Sequence, residues 1–263
     1  MSKLDRILKT KATTRLVPEA RPYRVDPRGA KEAVLLLHGF TGIPRELSIV
    51  GASLAEAGYA CLAPRYPGHG TDRADFLATG AEDWLRRALD SYLDLRAEYE
   101  SVQVLGHSMG GLIATIVAAM FNAPKLVLLA PAFKAGAGVS LAPLVAPFRP
   151  VIRRHRPNEE TDPARRLLFP DYWADDLVSG AVQLRRLQRA ARRDLERVHS
   201  KVLVVVGSKD SVVPASVARF VERKAMGAAS FESKTLEGAG HLFPFDARSA
   251  ETASIVQEWM QKS

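Results

Sequence analysis

Short apolar runs alternate with longer stretches of helical periodicity along most of the chain. Ala33-Val34-Leu35-Leu36-Leu37, Tyr59 to Ala63, Val102 to Leu105, Lys125 to Ala130 and Lys201 to Val206 are nearly continuous apolar segments. Runs without polar alternation predict strands covered on both faces. Between them, Pro44 to Ala57 has a proline suited to a first helical turn and leucines in helical register, with Gly58 as a C-cap. Ala81 to Tyr99 carries Trp84, Leu85, Ala88, Leu89, Tyr92, Leu93 and Leu95 as an apolar stripe. Gly111 to Met120 has helical length and no proline. Further helices are expected at Pro214 to Met226 and from about Arg248 to Gln261, and Ser230 to Leu236 alternates as a strand does. Strand and helix in alternation imply crossover connections, hence an α/β fold with a mainly parallel sheet and helices on both faces.

The alternation fails twice. Residues 1–30 are polar, basic and broken by Pro18, Pro22 and Pro27, a leader with room for one edge strand at Arg21 to Val25. Residues 132–198 begin small and apolar, contain Pro143, Pro147, Pro150 and Pro157, and become arginine-rich with helical spacing over Leu177 to Val198. That length is too great for a plain loop and reads as an inserted, mostly helical cap. Residues 31–131 and 199–263 then form one core domain, an ordinary size for a single α/β unit.

Charge adds little to this picture. The net charge of +8 is concentrated in residues 1–31, with nine Lys and Arg against three acids, and in residues 149–197, with twelve Arg against eight acids. Basic segments attract nucleic acid or anionic lipid. Here the arginines are interleaved with acids and no nucleic-acid motif accompanies them, so a solvated face is expected and no nucleic-acid partner. The single cysteine, Cys61, lies in a strand and permits no internal disulfide. No apolar run reaches spanning length and the N-terminus has no apolar signal core, which gives a cytoplasmic expectation.

The chemistry centres on Gly106-His107-Ser108-Met109-Gly110, a G-x-S-x-G between a predicted strand and a predicted helix. Glycines two before and two after a serine allow a tight turn that lifts the hydroxyl from the backbone. The same pentapeptide also fits a serine that merely caps a helix; the partners decide. A serine nucleophile needs a base oriented by a carboxylate. Asp210 follows the Val202–Val206 strand, and His241 follows the Ser230–Leu236 strand in Gly238-Ala239-Gly240-His241. All such loops open on the carboxyl edge of a parallel sheet. The order Ser108, Asp210, His241 is the nucleophile–acid–base order of a hydrolase sheet. Donors for a tetrahedral oxyanion are expected from the Met109 N–H and from a backbone N–H near Phe40, in His38-Gly39-Phe40-Thr41-Gly42. His38 is expected to make a structural bond at its strand end, His107 to point into the sheet and His69 to brace a loop. His155 and His199 read as surface or cap positions. No histidine, cysteine or carboxylate spacing suits a metal, and no phosphate loop is present, so neither metal nor cofactor is expected.

These stretches, together with Gly58 to Gly70, Trp84 and Gly240-His241, resemble the microbial carboxylesterase and monoacylglycerol-lipase branch of the serine α/β-hydrolases. The resemblance covers about residues 30–130 and 198–262. It implies Ser108, Asp210 and His241 as catalytic residues, Phe40 and Met109 as oxyanion donors, and a cap over an apolar acyl pocket. It also implies hydrolysis of short to medium carboxylic esters, monoacylglycerols included; a monomer or homodimer is expected. The cap departs from any recognisable pattern, although Ala135 to Phe148 would suit an acyl-binding wall. Two rivals remain at this stage. An aminopeptidase-type hydrolase would use cap acids such as Asp171, Asp175 and Asp176 to hold an amine, and a non-catalytic hydrolase fold would serve binding alone.

Overall fold

The structure is a computed structural model that describes residues 16–134, 136–153 and 175–262. His155 and Asp171, and residues 1–15 of the basic leader, lie outside the described residues. The strands are β1 (Tyr23–Val25), β2 (Glu32–Leu37), β3 (Ala60–Ala63), β4 (Ser101–His107), β5 (Lys125–Leu129), β6 (Ile152–Arg153), β7 (Asp175–Asp176), β8 (Lys201–Gly207) and β9 (Ser230–Leu236). The helices are α1 (Ser48–Glu56), α2 (Arg73–Ala78), α3 (Ala81–Glu98), α4 (Met109–Phe121), α5 (Ala137–Val145), α6 (Val178–Asp194), α7 (Val217–Lys224) and α8 (Ser249–Met260).

One sheet runs in the order β1-β3-β2-β4-β5-β8-β9. Only β1 is antiparallel, pairing Tyr23 with Ala63; every other neighbour is parallel. The α/β-hydrolase architecture expected from the strand–helix alternation and the motif order is thus the one found. Along β2, Leu35 and Leu37 face one core, with α3, α4, α6 and α7, while Val34 and Leu36 face the other, with α1 and α8. This explains the unbroken apolar runs, since alternate side chains need cover on both faces. α4 is buried along most of its length because the sheet lies on one side and α6 on the other.

The chain leaves β2 toward β3 on one side and returns past β2 to β4 on the other. Loops after β2 and β4 therefore diverge above adjacent strands, with Leu37 registered against Gly106. In an open α/β sheet such a switch point is where ligands bind.

Several boundaries moved. α4 starts at Met109 rather than Gly111 because Ser108 itself occupies the N-cap position. α7 is shorter than Pro214 to Met226: Val217 N–H bonds Pro214 O in a turn, and regular helix begins only there. Pro44 opens a 3₁₀ turn to Leu47 before α1. α2 was not anticipated; it is a six-residue helix whose N-terminus is held by the Asp72 carboxylate accepting from Asp75 N–H. Among the described residues, no helix is long and apolar enough to cross a membrane.

Within 132–198, α6 joins the main core through Leu184, Leu187 and Ala191. Its Gln188 donates to Ala132 O at 2.6 Å, and Arg192 donates to Phe133 O. Arg192 thus anchors the chain leaving β5, although it is exposed, as are Arg186, Arg189, Arg193 and Arg197.

Candidate active site

Ser108 has φ 53° and ψ −115°, a conformation that L-residues rarely adopt. The strain is imposed by packing on every side. A Cβ on Gly106 would overlap the Gly110 carbonyl, and one on Gly110 would overlap the Leu37 carbonyl. Only glycine at both positions lets the elbow close against β2. Ser108 N–H donates to Leu129 O at 2.9 Å, and Ser108 O accepts from Gly111 N–H and Ala132 N–H. The turn is thereby tied to β5 and to the start of the insertion.

The structure brings the three sequence-predicted residues into one hydrogen-bonded line. Ser108 Oγ lies 3.1 Å from His241 Nε2, and His241 Nδ1 lies 2.7 Å from Asp210 Oδ2. Asp210 Oδ1 also accepts from Val212 N–H at 2.8 Å and Val213 N–H at 2.9 Å. Burial alone would push the Asp210 carboxyl up. The His241 hydrogen bond and these two N–H groups outweigh it and hold the carboxyl below its ordinary range. Burial draws the His241 imidazole below the ordinary histidine value, against the Asp210 hydrogen bond, with His107 adding to the fall. A neutral imidazole with its lone pair toward Ser108 is what a general base requires.

Met109 follows Ser108 directly, and Gly39, the neighbour of Phe40, lies where an added Cβ would be 3.4 Å from Ser108 Cβ. Met109 is the first residue of α4, where backbone N–H groups have no helical partner. Among the described residues, neither the Phe40 nor the Met109 N–H has an acceptor. The Phe40 ring is fixed edge-on by Phe76 and Trp84, at centroid distances of 5.6 and 6.1 Å. α6 approaches it at Gly180, where a Cβ would strike both Phe40 and Phe76.

A cavity of about 690 Å³ lies against the loops that carry Phe40 and Asp210. Its walls are Phe40 and Thr41 after β2, Val139, Ala142 and Val145 of α5, Leu177, Val178 and Ala181 at the start of α6, and Ser211 and Val212 after Asp210. The lining is mostly apolar, with Asp175 and Asp176 at one edge. Asp175 is nearly buried and ion-paired with Arg73, so its charge is already matched.

The remaining histidines sort by contact. His38 Nδ1 bonds Gly39 O at 3.0 Å and His69 Nδ1 bonds Pro67 O at 3.1 Å, both as loop braces. His199 bonds Gly227 O at the surface. His107 does more than point into the sheet: its ring bridges Glu46 and the His241 backbone. Sequence reasoning missed Glu46. It sits in a 3₁₀ turn beside exposed Arg45, and no local signal marks it as buried.

Comparison with known proteins bears on the fold and the family. The chain is 44% identical over 88 residues to a carboxylesterase of Bacillus subtilis, a match spanning 33% of this chain and 36% of that protein. It is 29% identical over 187 residues to a thermostable monoacylglycerol lipase of Bacillus sp. strain H-257, covering 69% and 71% of the two chains. Among solved structures, one described with LipS and LipT, two metagenome-derived lipolytic enzymes, superposes with a TM-score of 0.84 at 22% identity, over 95% of this chain and all of that one. A monoacylglycerol lipase of Paleococcus ferrophilus gives 0.72 at 20% identity, over 91% and 98%. Residues 34–255 match the alpha/beta hydrolase family model, and the chain belongs to that family.

Proposed function

We propose that this protein is a serine hydrolase that cleaves carboxylic esters of short to medium acyl chains, as a carboxylesterase or monoacylglycerol lipase, through an acyl-enzyme. The observation that carries the reading is the Ser108–His241–Asp210 line, together with a mostly apolar cavity walled in part by Phe40 and by Ser211 and Val212, which follow Asp210. The names of the two Bacillus relatives support the ester class. In this reading His241 takes the Ser108 proton as Oγ attacks the ester carbonyl. The oxyanion forms against the Phe40 and Met109 N–H groups, and His241 returns the proton to the leaving alcohol. Water then repeats the sequence on the acyl-enzyme. Residues 132–198 act as the cap, α5 and the start of α6 forming the acyl-binding wall.

The test is initial rates on p-nitrophenyl esters from acetate to palmitate, beside 1-monoacylglycerols and aminoacyl-anilides. Ester turnover peaking at medium chains supports the proposal. Background rates on every ester, with no labelling by a fluorophosphonate, overturn it, and turnover of anilides alone selects the aminopeptidase rival.

Two further outcomes follow from the site. Because burial lowers the His241 value, the acid limb of kcat/KM has its midpoint below about 6.5. Activity rises with pH through that midpoint as the base loses its proton; a limb centred at or above it contradicts the assignment. Ala181→Phe fills the α6 side of the cavity. It is expected to lower kcat/KM for the longest accepted esters by roughly tenfold or more while leaving acetate within about twofold. Equal losses across the series would place the acyl chain elsewhere.

A further inference from the structure

Glu46 and His107 are buried side chains that the proposed chemistry does not use. Glu46 Oε2 accepts from Gly39 N–H at 2.8 Å and lies 3.1 Å from His107 Nδ1. His107 Nε2 lies 3.0 Å from the His241 carbonyl oxygen. The three segments they join are distinct. Gly39 N–H is the residue before Phe40, His107 precedes Ser108, and the carbonyl belongs to the base itself.

The partners dictate the protonation. A ring nitrogen facing an acceptor must carry a hydrogen. His38 faces one acceptor, Gly39 O, and one donor, Tyr66 N–H at 3.4 Å, so it is neutral. Burial agrees, drawing it down to about 4. His107 faces a carboxylate on one side and a carbonyl on the other, two acceptors for its two ring nitrogens. Glu46 is held below its ordinary range: burial pushes it up, but the His107 hydrogen bond and charge prevail. The other titratable groups near the pair are His38, Tyr66 and, beside His38, Arg65 on one side. On the other side lie His241, its ring 5.0 Å from that of His107, and Asp210 beyond it.

We propose that Glu46 and His107 form a buried carboxylate–imidazolium pair that clamps the Phe40 loop, the serine elbow and the His241 loop in one arrangement. Both are positioning residues, and that role rests on the Ser108–His241–Asp210 reading; the charged pair itself does not. The pair also biases the base. The His107 cation opposes protonation of His241 more strongly than the remoter Glu46 favours it.

The experiment combines ring-nitrogen NMR of ¹⁵N-histidine-labelled full-length protein with kinetics of Glu46→Gln. In the unmodified protein and in Ser108→Ala, the His107 resonances should report a proton on both ring nitrogens. In Glu46→Gln the second proton should be lost. That variant should lose roughly 10- to 100-fold in kcat with KM within about twofold. Its acid limb of kcat/KM should move to higher pH, because the His107 cation leaves with the carboxylate. Glu46→Asp should recover part of kcat. A neutral, single-tautomer His107 in the unmodified protein overturns the pair, as does an unmoved limb in a Glu46→Gln protein with reduced kcat. A doubly protonated His107 without any ester turnover condemns the esterase reading and leaves the pair standing.

Discussion

Ser108→Ala is expected to abolish ester turnover, lowering kcat by about 10⁵- to 10⁶-fold. In the proposed mechanism this hydroxyl forms the acyl-enzyme, and among the described residues its side-chain partner is His241 Nε2. With Oγ gone, His241 and Asp210 have no nucleophile to activate, and only binding and oxyanion stabilisation remain. The fold should not register the change. Alanine carries the same Cβ as serine at φ 53°, so the strain is equal and stability should shift by less than about 1 kcal/mol. Ser108→Gly makes the sharper comparison. It should be equally inactive yet more stable than the unmodified protein by about 1–2 kcal/mol, because glycine adopts this conformation without penalty. Thermal unfolding of both variants beside their ester rates checks it. An active Ser108→Ala would remove the nucleophile from the proposal, and a destabilised Ser108→Gly would show that the elbow is not strained.

That strain was legible only in part: glycines two before and two after Ser108 suit a tight elbow, but the pentapeptide alone also suits a helix cap. The parallel sheet was legible more directly: runs such as Val34–Leu37 and Val202–Val206 alternate between two cores, and only double cover tolerates that. Asp210 and His241 could be found because topology sends every loop after a parallel strand to one edge. Glu46 could not. Its burial comes from Gly39, His107 and the tight fit at Gly42, where a Cβ would overlap its carboxylate, and those contacts exist only after the sheet has formed. The division of residues 132–198 was equally hidden. An arginine-rich amphipathic helix has the same pattern whether its apolar stripe covers a substrate or α4, and here Leu184, Leu187 and Ala191 do the latter.

Asp210→Asn should be nearly as damaging as loss of the serine, for a reason of tautomers rather than charge alone. Asp210 accepts three hydrogen bonds, from the Val212 and Val213 N–H groups through Oδ1 and from His241 Nδ1 through Oδ2. An asparagine must keep its oxygen toward the two backbone donors, since those N–H groups cannot accept. Its amide nitrogen then faces His241 Nδ1 and donates to it. The imidazole is left with its hydrogen on Nε2, pointing at Ser108 Oγ, and cannot take the serine proton. A loss of about 10⁴-fold in kcat at neutral pH is expected, with KM little changed and the fold intact, because all three hydrogen bonds can still form. Fluorophosphonate labelling of Ser108 should slow in parallel. This separates Asp210 from a residue that only braces its loop: a brace would leave labelling fast in the folded fraction, whereas a wrong tautomer slows every molecule. A loss below tenfold, with unchanged labelling, would mean that another group orients His241 and that Asp210 is only a turn aspartate.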